Sequence, residues 1–237
     1  MRKGFWISLV ILSISSVAAV IVYSQTKRPA AAPRASNSSG SSASATNKST
    51  VDLGKLNGRT YRNETFNFEV TFPEGWLLAD PTAEAGLRSK GVDLKLKAPK
   101  SRDPQDQLRL NSYAKRVTVL TTAFHPINKD ESTVVRVAVE DLSRVPQVKD
   151  AVDYFDLMRE GYKTMRLPSD FKYSETQAEK LGRKQFAFLD TTTAQGKTRM
   201  YATVRNGYAI LFTLAYRSDD ELQSFRRMLS EPNFALR

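Results

Sequence analysis

Residues 185–216 read QFAFLDTTTAQGKTRMYATVRNGYAILFTLAY, and the pattern of apolar and polar side chains in this stretch decides the fold class. The stretch contains three β-rich runs, at 185–192, 198–205 and 208–216. Asn206 and Gly207 separate the last two runs and favour a tight hairpin, because both residues tolerate a positive φ. The sequence therefore predicts an antiparallel meander. Its last run is apolar on both faces, which predicts a central strand with helices covering at least part of one face.

Further strands are predicted upstream of the meander. Between positions 66 and 72, aromatic and aliphatic residues alternate with polar ones until Pro73 ends the run. A second alternation covers 92–97, and β-rich runs cover 117–124 and 134–141. The charged stretch 97–111 carries two prolines and is predicted to be an exposed loop.

Two segments show helical spacing. Residues 150–165 place their apolar side chains on one stripe, with Asp150 positioned to cap the first turn. A second helix is predicted after Ser218, where Ser-Asp-Asp-Glu matches a capping box. This order of elements predicts an α+β domain, built on an antiparallel sheet covered by helices.

The chain begins with a segment typical of a membrane anchor. Arg2 and Lys3 precede an uncharged stretch of 19 residues that begins at Phe5 and ends at Tyr23. As a helix this stretch would be ~28 Å long, close to the ~30 Å of a bilayer core. Residues 1–25 are therefore predicted to be a transmembrane anchor that stays attached. A cleaved signal peptide and a buried core helix are the alternatives.

Residues 26–57 are predicted to be a disordered linker, and residues 58–237 the folded domain. Serine, alanine, proline and threonine dominate positions 26–50, so little apolar surface is available to offset the entropy of ordering. The short N-terminal flank favours export of the domain to the periplasmic or cell-surface side. Asn37, Asn47 and Asn63 each begin a glycosylation acceptor pattern, which also arises by chance in such tracts.

Composition excludes several kinds of chemistry. The chain has no cysteine, which excludes disulfides, thiol catalysis, cysteine-ligated metals and a lipoprotein anchor. His125 is the single imidazole, and a loop histidine without a catalytic role is the preferred interpretation. Nucleotide-binding, hydrolase and zinc-protease motifs are absent from the sequence. We therefore predict no catalytic residue, no metal and no cofactor.

The charge of the chain is concentrated outside the predicted domain. Of the net charge of +11, six charges lie within positions 1–50, which leaves five for residues 51–237. Nucleic acid is therefore not a predicted partner. A basic stretch could contact an acidic partner or lipid headgroups, but a solvated loop is the preferred interpretation, because Asp93, Asp103 and Asp106 interrupt it. The residues of this stretch are Lys95, Lys97, Lys100, Arg102, Arg109, Lys115 and Arg116.

Acidic residues cluster at both predicted helix starts. These are Asp150, Asp153 and Asp156 in the first helix and Asp219, Asp220 and Glu221 in the second. Carboxylates there oppose the helix dipole favourably, and the turn glycine of a calcium loop is missing. Trp76 follows a Pro-Glu-Gly turn, where it is predicted to plug the core rather than to serve as a ligand platform.

The residues FNFEVTFPEGW at positions 66–76 resemble the opening strand and turn of the PsbP-like family, in which an aromatic-rich strand leads into Pro-x-x-Trp. The LGRK at 181–184, the late hairpin and the terminal helix are similar as well. This resemblance implies an α/β/α sandwich used by non-catalytic extrinsic subunits and envelope proteins that assist membrane complexes. It implies no catalytic residues. The long apolar segment and the linker depart from the peripheral photosynthetic members.

These observations predict a membrane-tethered, non-catalytic envelope protein with a monomeric domain. The domain would dock to another envelope or membrane component, or assist its assembly. A domain that binds a small ligand or lipid in a pocket beside the sheet is the alternative, and a hydrolase of unknown class is the third.

Overall fold

The computed structural model describes residues 51–78, 116–126, 132–164, 167, 169–194, 196–230 and 234–236, with the single positions 104, 105, 107, 108 and 111. The predicted anchor at 1–25, the linker up to residue 50 and the predicted strand at 92–97 lie outside these residues. No helix within the described ranges is both long and apolar enough to cross a membrane. The described positions between 104 and 111 are helical, where the sequence predicted a loop.

The described residues form strands β1 to β12 and two long helices, α1 and α2. The strands are β1 (Lys55–Asn57), β2 (Thr60–Asn63), β3 (Phe68–Thr71), β4 (Leu77–Leu78), β5 (Val117–Pro126), β6 (Ser132–Asp141), β7 (Lys172–Tyr173), β8 (Gln177–Leu181), β9 (Lys184–Thr193), β10 (Gly196–Arg205), β11 (Tyr208–Tyr216) and β12 (Phe234–Leu236). Helix α1 (Ala151–Thr164) lies between β6 and β7, and helix α2 (Asp219–Met228) lies between β11 and β12.

The strands form two antiparallel sheets. The larger has eight strands in the order β4-β5-β6-β11-β10-β9-β7, with β8 also paired to β9. Strands β9, β10 and β11 form the predicted meander, and β11 lies centrally between β10 and β6. Asn206 and Gly207 have φ values of 52° and 76°, as the predicted hairpin requires. The smaller sheet has the order β1-β2-β3-β12.

The large sheet buries both of its faces. On one face, which we call the α1 face, Leu189, Met200 and Leu211 pack with Phe155 and Met158 of α1. The opposite face packs against α2 and also against the small sheet, whose buried residues include Phe66, Phe68, Val70, Phe72 and Phe234.

The predicted antiparallel α+β architecture is confirmed at this level, but the simple α/β/α sandwich needs a correction. The strand predicted at 66–72 belongs to the second sheet, where β3 pairs with β2 and β12 rather than with the large sheet. Its partners have only three or four residues each, too few to show an alternating pattern in the sequence.

The fold begins before the predicted boundary at residue 58. Strand β1 pairs with β2, and the Tyr61 hydroxyl donates a hydrogen bond of 2.7 Å to the carbonyl of Leu53. A buried phenol needs such a partner. The last residues of the predicted linker, from position 51, therefore belong to the domain.

Candidate functional site

His125 lies at the end of β5, paired with Thr133, rather than in the predicted loop. Its ring contacts Trp76 on the face of the large sheet that packs against the small sheet. Their ring centroids are 5.5 Å apart, and Trp76 also lies 6.3 Å from Phe72. Trp76 packs against the core cluster but is only partly buried. The prediction that its indole plugs the core is therefore correct only in part, because strand β4 places it at a sheet edge.

The acidic residues at the helix starts have structural contacts. Asp150 accepts hydrogen bonds from the backbone nitrogens of Val152 and Asp153, at 2.8 and 2.9 Å. Asp156 accepts a hydrogen bond of 2.5 Å from the Thr176 hydroxyl. In the part of the chain that the structure describes, no group of three or more acidic or histidine side chains could hold a metal ion.

Two further sequence candidates have partners inside the domain. Asn63 is fully buried, and its side-chain amide donates a hydrogen bond of 2.8 Å to the carbonyl of Asp52, so its glycosylation pattern is inaccessible in the fold. Arg116, the last residue of the basic stretch, forms an ion pair of 2.9 Å with the fully buried Glu140. The other residues of that stretch lie outside the described ranges.

The α1 face carries an arginine that the sequence analysis did not single out. Arg136 lies in β6 and is 5% exposed. Thr122 of β5 and Thr213 of β11 lie directly opposite it on the two neighbouring strands. Directly paired residues point to the same face of a sheet, with Cβ atoms about 4.5–5.5 Å apart. Arg136 therefore has a threonine on each side.

Arg136 has no carboxylate partner among the described residues, which distinguishes it from Arg199 and Arg116. Arg199 pairs with Asp190 at 2.5 Å, and Arg116 pairs with Glu140. The buried Nε atom of Arg136 has no hydrogen-bond partner. Burial lowers the pKa of Arg136 to about 10, because removing water disfavours the charged form.

The adjacent cross-strand row on the α1 face is mostly apolar. From the sheet edge inward, Leu77 pairs with Phe124, Phe124 with Val134, and Val134 with Ala215. Leu77 is 61% exposed, whereas Val134 is buried. Thr198, next to Ala215, is fully buried and its hydroxyl has no hydrogen-bond partner. We call Arg136, Thr122 and Thr213, with Val134, Phe124 and Leu77, the Arg136 site.

The Arg136 site combines one cation, hydroxyl groups and an apolar strip. A buried cation without a counter-charge is costly, and it is normally neutralised or paired. The arrangement can therefore receive an anionic oxygen group at its inner end and an apolar group at its outer end. One sequence signal could have found it, since Arg136 is the single charge within the aliphatic run VVRVAV at 134–139.

Comparison with solved structures finds several that are similar to the chain. The solution structure of cyanobacterial PsbP (CyanoP) from Synechocystis sp. PCC 6803 is similar, with 16% sequence identity and a TM-score of 0.42. The similarity covers 78% of this chain and 99% of that chain. No protein-family model and no curated protein sequence matches the chain. Membership of the PsbP-like family stays a prediction that depends on the residues at 66–76.

Proposed function

We propose that the domain acts by binding a small ligand at the Arg136 site, and that the segment from Phe5 to Tyr23 holds the domain at a membrane, outside the cytoplasm. The observation that carries this proposal is the buried side chain of Arg136, whose Nε atom has no hydrogen-bond partner and which forms no ion pair with a described residue. A bound anion would supply the missing counter-charge.

Burial also favours one of the two binding functions that the sequence predicted. A partner protein contacts side chains that reach the surface, whereas a small molecule can enter between a sheet and the elements beside it. Arg136 is 5% exposed, which favours the small ligand. Docking to an envelope component stays the second candidate, and crosslinking of the membrane-bound protein to its neighbours tests it.

The proposal is tested on the full-length chain purified from membranes. Small molecules extracted from the wild type are compared by mass spectrometry with those from Arg136→Met. The matched control is Arg144→Met, which removes one positive charge from an exposed position. We expect a small molecule that purifies with the wild type and the control and is lost from Arg136→Met. The absence of any such molecule, or equal amounts in all three proteins, would overturn the proposal.

A further inference from the structure

We infer that the ligand of the Arg136 site is an amphiphilic carboxylate, with its head group on Arg136 and its apolar chain along Val134, Phe124 and Leu77. This inference rests on the proposed function and adds the chemical class of the ligand.

The head group follows from the chemistry of Arg136. A guanidinium is a planar fork whose paired donors match the two oxygens of a carboxylate. Arg136 is the single cation in the two cross-strand rows of the site, whose other members are threonine, alanine or apolar residues. One negative charge is therefore compensated, whereas the second charge of a phosphate dianion would stay buried and unpaired.

The threonines support the same head group. Thr122 and Thr213 lie directly opposite Arg136 and are buried. Each hydroxyl can donate one hydrogen bond to a carboxylate oxygen. Such donors around a charged acceptor strengthen its binding in a site with little water.

The apolar chain follows from the neighbouring row. Val134, Phe124 and Leu77 lie on three successive strands, a span of about 10 Å at the usual strand spacing. This row runs from beside Arg136 to the sheet edge, where Leu77 is 61% exposed. Covering the exposed part of this row, at Leu77 and Phe124, with an acyl chain would remove apolar surface from water, which favours binding.

The test uses decanoate as the probe and the full-length chain in lipid nanodiscs. Binding is measured by equilibrium dialysis, and uptake by empty nanodiscs is subtracted. We expect saturable binding of one decanoate per chain, weakened at least about tenfold by Arg136→Met and unchanged in Arg144→Met. Decanol and decylammonium, which have the same chain without a negative charge, should bind at least about tenfold more weakly than decanoate.

The apolar chain and the head group of the ligand are tested separately, with a substitution at each end of the site. Leu77→Ser should weaken decanoate but leave the binding of acetate unchanged. Equal affinity for decanol and decanoate, or decanoate binding that survives in Arg136→Met, would overturn the inference. Tighter binding of decyl methyl phosphate would also overturn it, because the head group would then be a phosphodiester.

The mass-spectrometry and decanoate results together separate an error in the ligand class from an error in the proposed function. If a molecule purifies with the wild type and is lost from Arg136→Met, but decanoate does not bind, the carboxylate assignment is wrong and the proposed function stands. If no molecule purifies with the protein and no probe binds, both are wrong.

Discussion

A guanidinium inside a protein loses the hydration that stabilises its charge in water, and a nearby carboxylate normally compensates for the loss. Arg136 lacks that compensation among the described residues, while Arg199 has it from Asp190. Proteins keep residues that lower stability where function needs them. The charge of Arg136 is therefore expected to destabilise the folded protein, whereas the ion pair of Arg199 with Asp190 is expected to stabilise it.

Replacing Arg136 should make the protein more stable. Methionine keeps an unbranched apolar chain and removes the buried charge, so we expect Arg136→Met to raise the free energy of unfolding by about 1–4 kcal/mol. The measurement is urea denaturation of the wild type and the variant in the absence of added ligand.

The matched control is Arg199→Met. Arg199 donates hydrogen bonds of 2.7 and 2.5 Å to the two carboxylate oxygens of Asp190, so this variant should lower the free energy of unfolding by about 1.5–3 kcal/mol. A loss of stability in Arg136→Met of similar size would show that Arg136 has a structural role.

The hydrogen bond between Tyr154 and Glu140 is expected to stabilise the fold. Its hydroxyl donates a hydrogen bond of 2.7 Å to Glu140, whose side chain is fully buried. Tyr154→Phe removes the donor and leaves the carboxylate in place, so it should lower the free energy of unfolding by about 1.5–3 kcal/mol. Thermal or urea denaturation measures this loss.

Tyr208→Phe is the control for the loss of a hydroxyl. Tyr208 is only partly buried, and its ring keeps its edge contact with Phe66 in the variant. We expect a change within about 0.5 kcal/mol. If Tyr154→Phe changes the free energy of unfolding no more than this control does, the hydrogen bond to Glu140 makes no net contribution to stability.

Among the elements, helix α2 is held at its start by a capping box that also reaches the sheet. Glu221 accepts hydrogen bonds from the backbone nitrogens of Arg217 and Ser218, at 2.7 and 3.0 Å, and from the Thr133 hydroxyl of β6. Partial burial favours the protonated form, but these hydrogen bonds outweigh it and hold the pKa of Glu221 below its usual value. The carboxylate therefore stabilises the folded state where it is ionised.

This contact should make the stability of the protein depend on pH. The pKa of Glu221 is lower in the folded than in the unfolded chain, so its contribution is complete above the unfolded value of about 4.3 and is lost as the pH falls through the folded value. The glutamine of the Glu221→Gln variant has no ionisable group, so its contribution to stability does not change with pH. We expect the wild type to melt at a higher temperature than the variant at pH 6, and the difference to shrink below about pH 4.

Asp220→Asn is the control for Glu221→Gln. It removes an exposed carboxylate from the same first turn and should lower the melting temperature less at pH 6. A difference between wild type and Glu221→Gln that stays constant from pH 6 to the acid range would contradict the assignment.

The long elements were predictable from the sequence, while the short ones were not. Strand β11 is a nine-residue β-rich run that follows a recognisable hairpin turn at Asn206, and Ser218 carries a local capping signal. Strands β4 and β7 have two residues each, too few to show any period. Their positions depend on pairing with distant residues, which a single sequence does not show.

The candidate site was less predictable than the fold, for the same reason. The aliphatic run around Arg136 predicted a strand, but the alternation within one strand does not reveal which residues lie opposite. The meaning of Arg136 depends on Thr122, Thr213 and the absence of a carboxylate on neighbouring strands. Those facts arise from sheet register.

At the scale of the whole molecule, Phe234 of β12 links the two sheets. It is buried, and its ring lies 6.4 Å from Phe68 of the small sheet and 5.6 and 5.4 Å from Phe186 and Phe212 of the large sheet. Phe234→Ala would leave a cavity where three aromatic rings meet. We expect it to lower the free energy of unfolding by about 3–5 kcal/mol.

Urea denaturation gives the size of this loss, and hydrogen exchange of the amides of β3 shows where it acts. Leu53→Ala is the control, because Leu53 is exposed, and it should change stability by less than about 0.5 kcal/mol. If Phe234→Ala behaves like Leu53→Ala, the two sheets are held together without the aromatic contact.

The pairing of β12 with β3 has a consequence for the order in which the chain can fold. Phe68 lies opposite Leu236, so a strand made early during synthesis must wait for one made more than 160 residues later. Contacts between such distant positions form slowly, since a long loop must close first. Until residues 234–236 have left the ribosome, β3 keeps an open edge and its buried aromatic residues lack a cover. During synthesis the domain therefore stays incompletely folded until its last residues emerge. In that interval a chaperone or a translocation channel could still bind the chain.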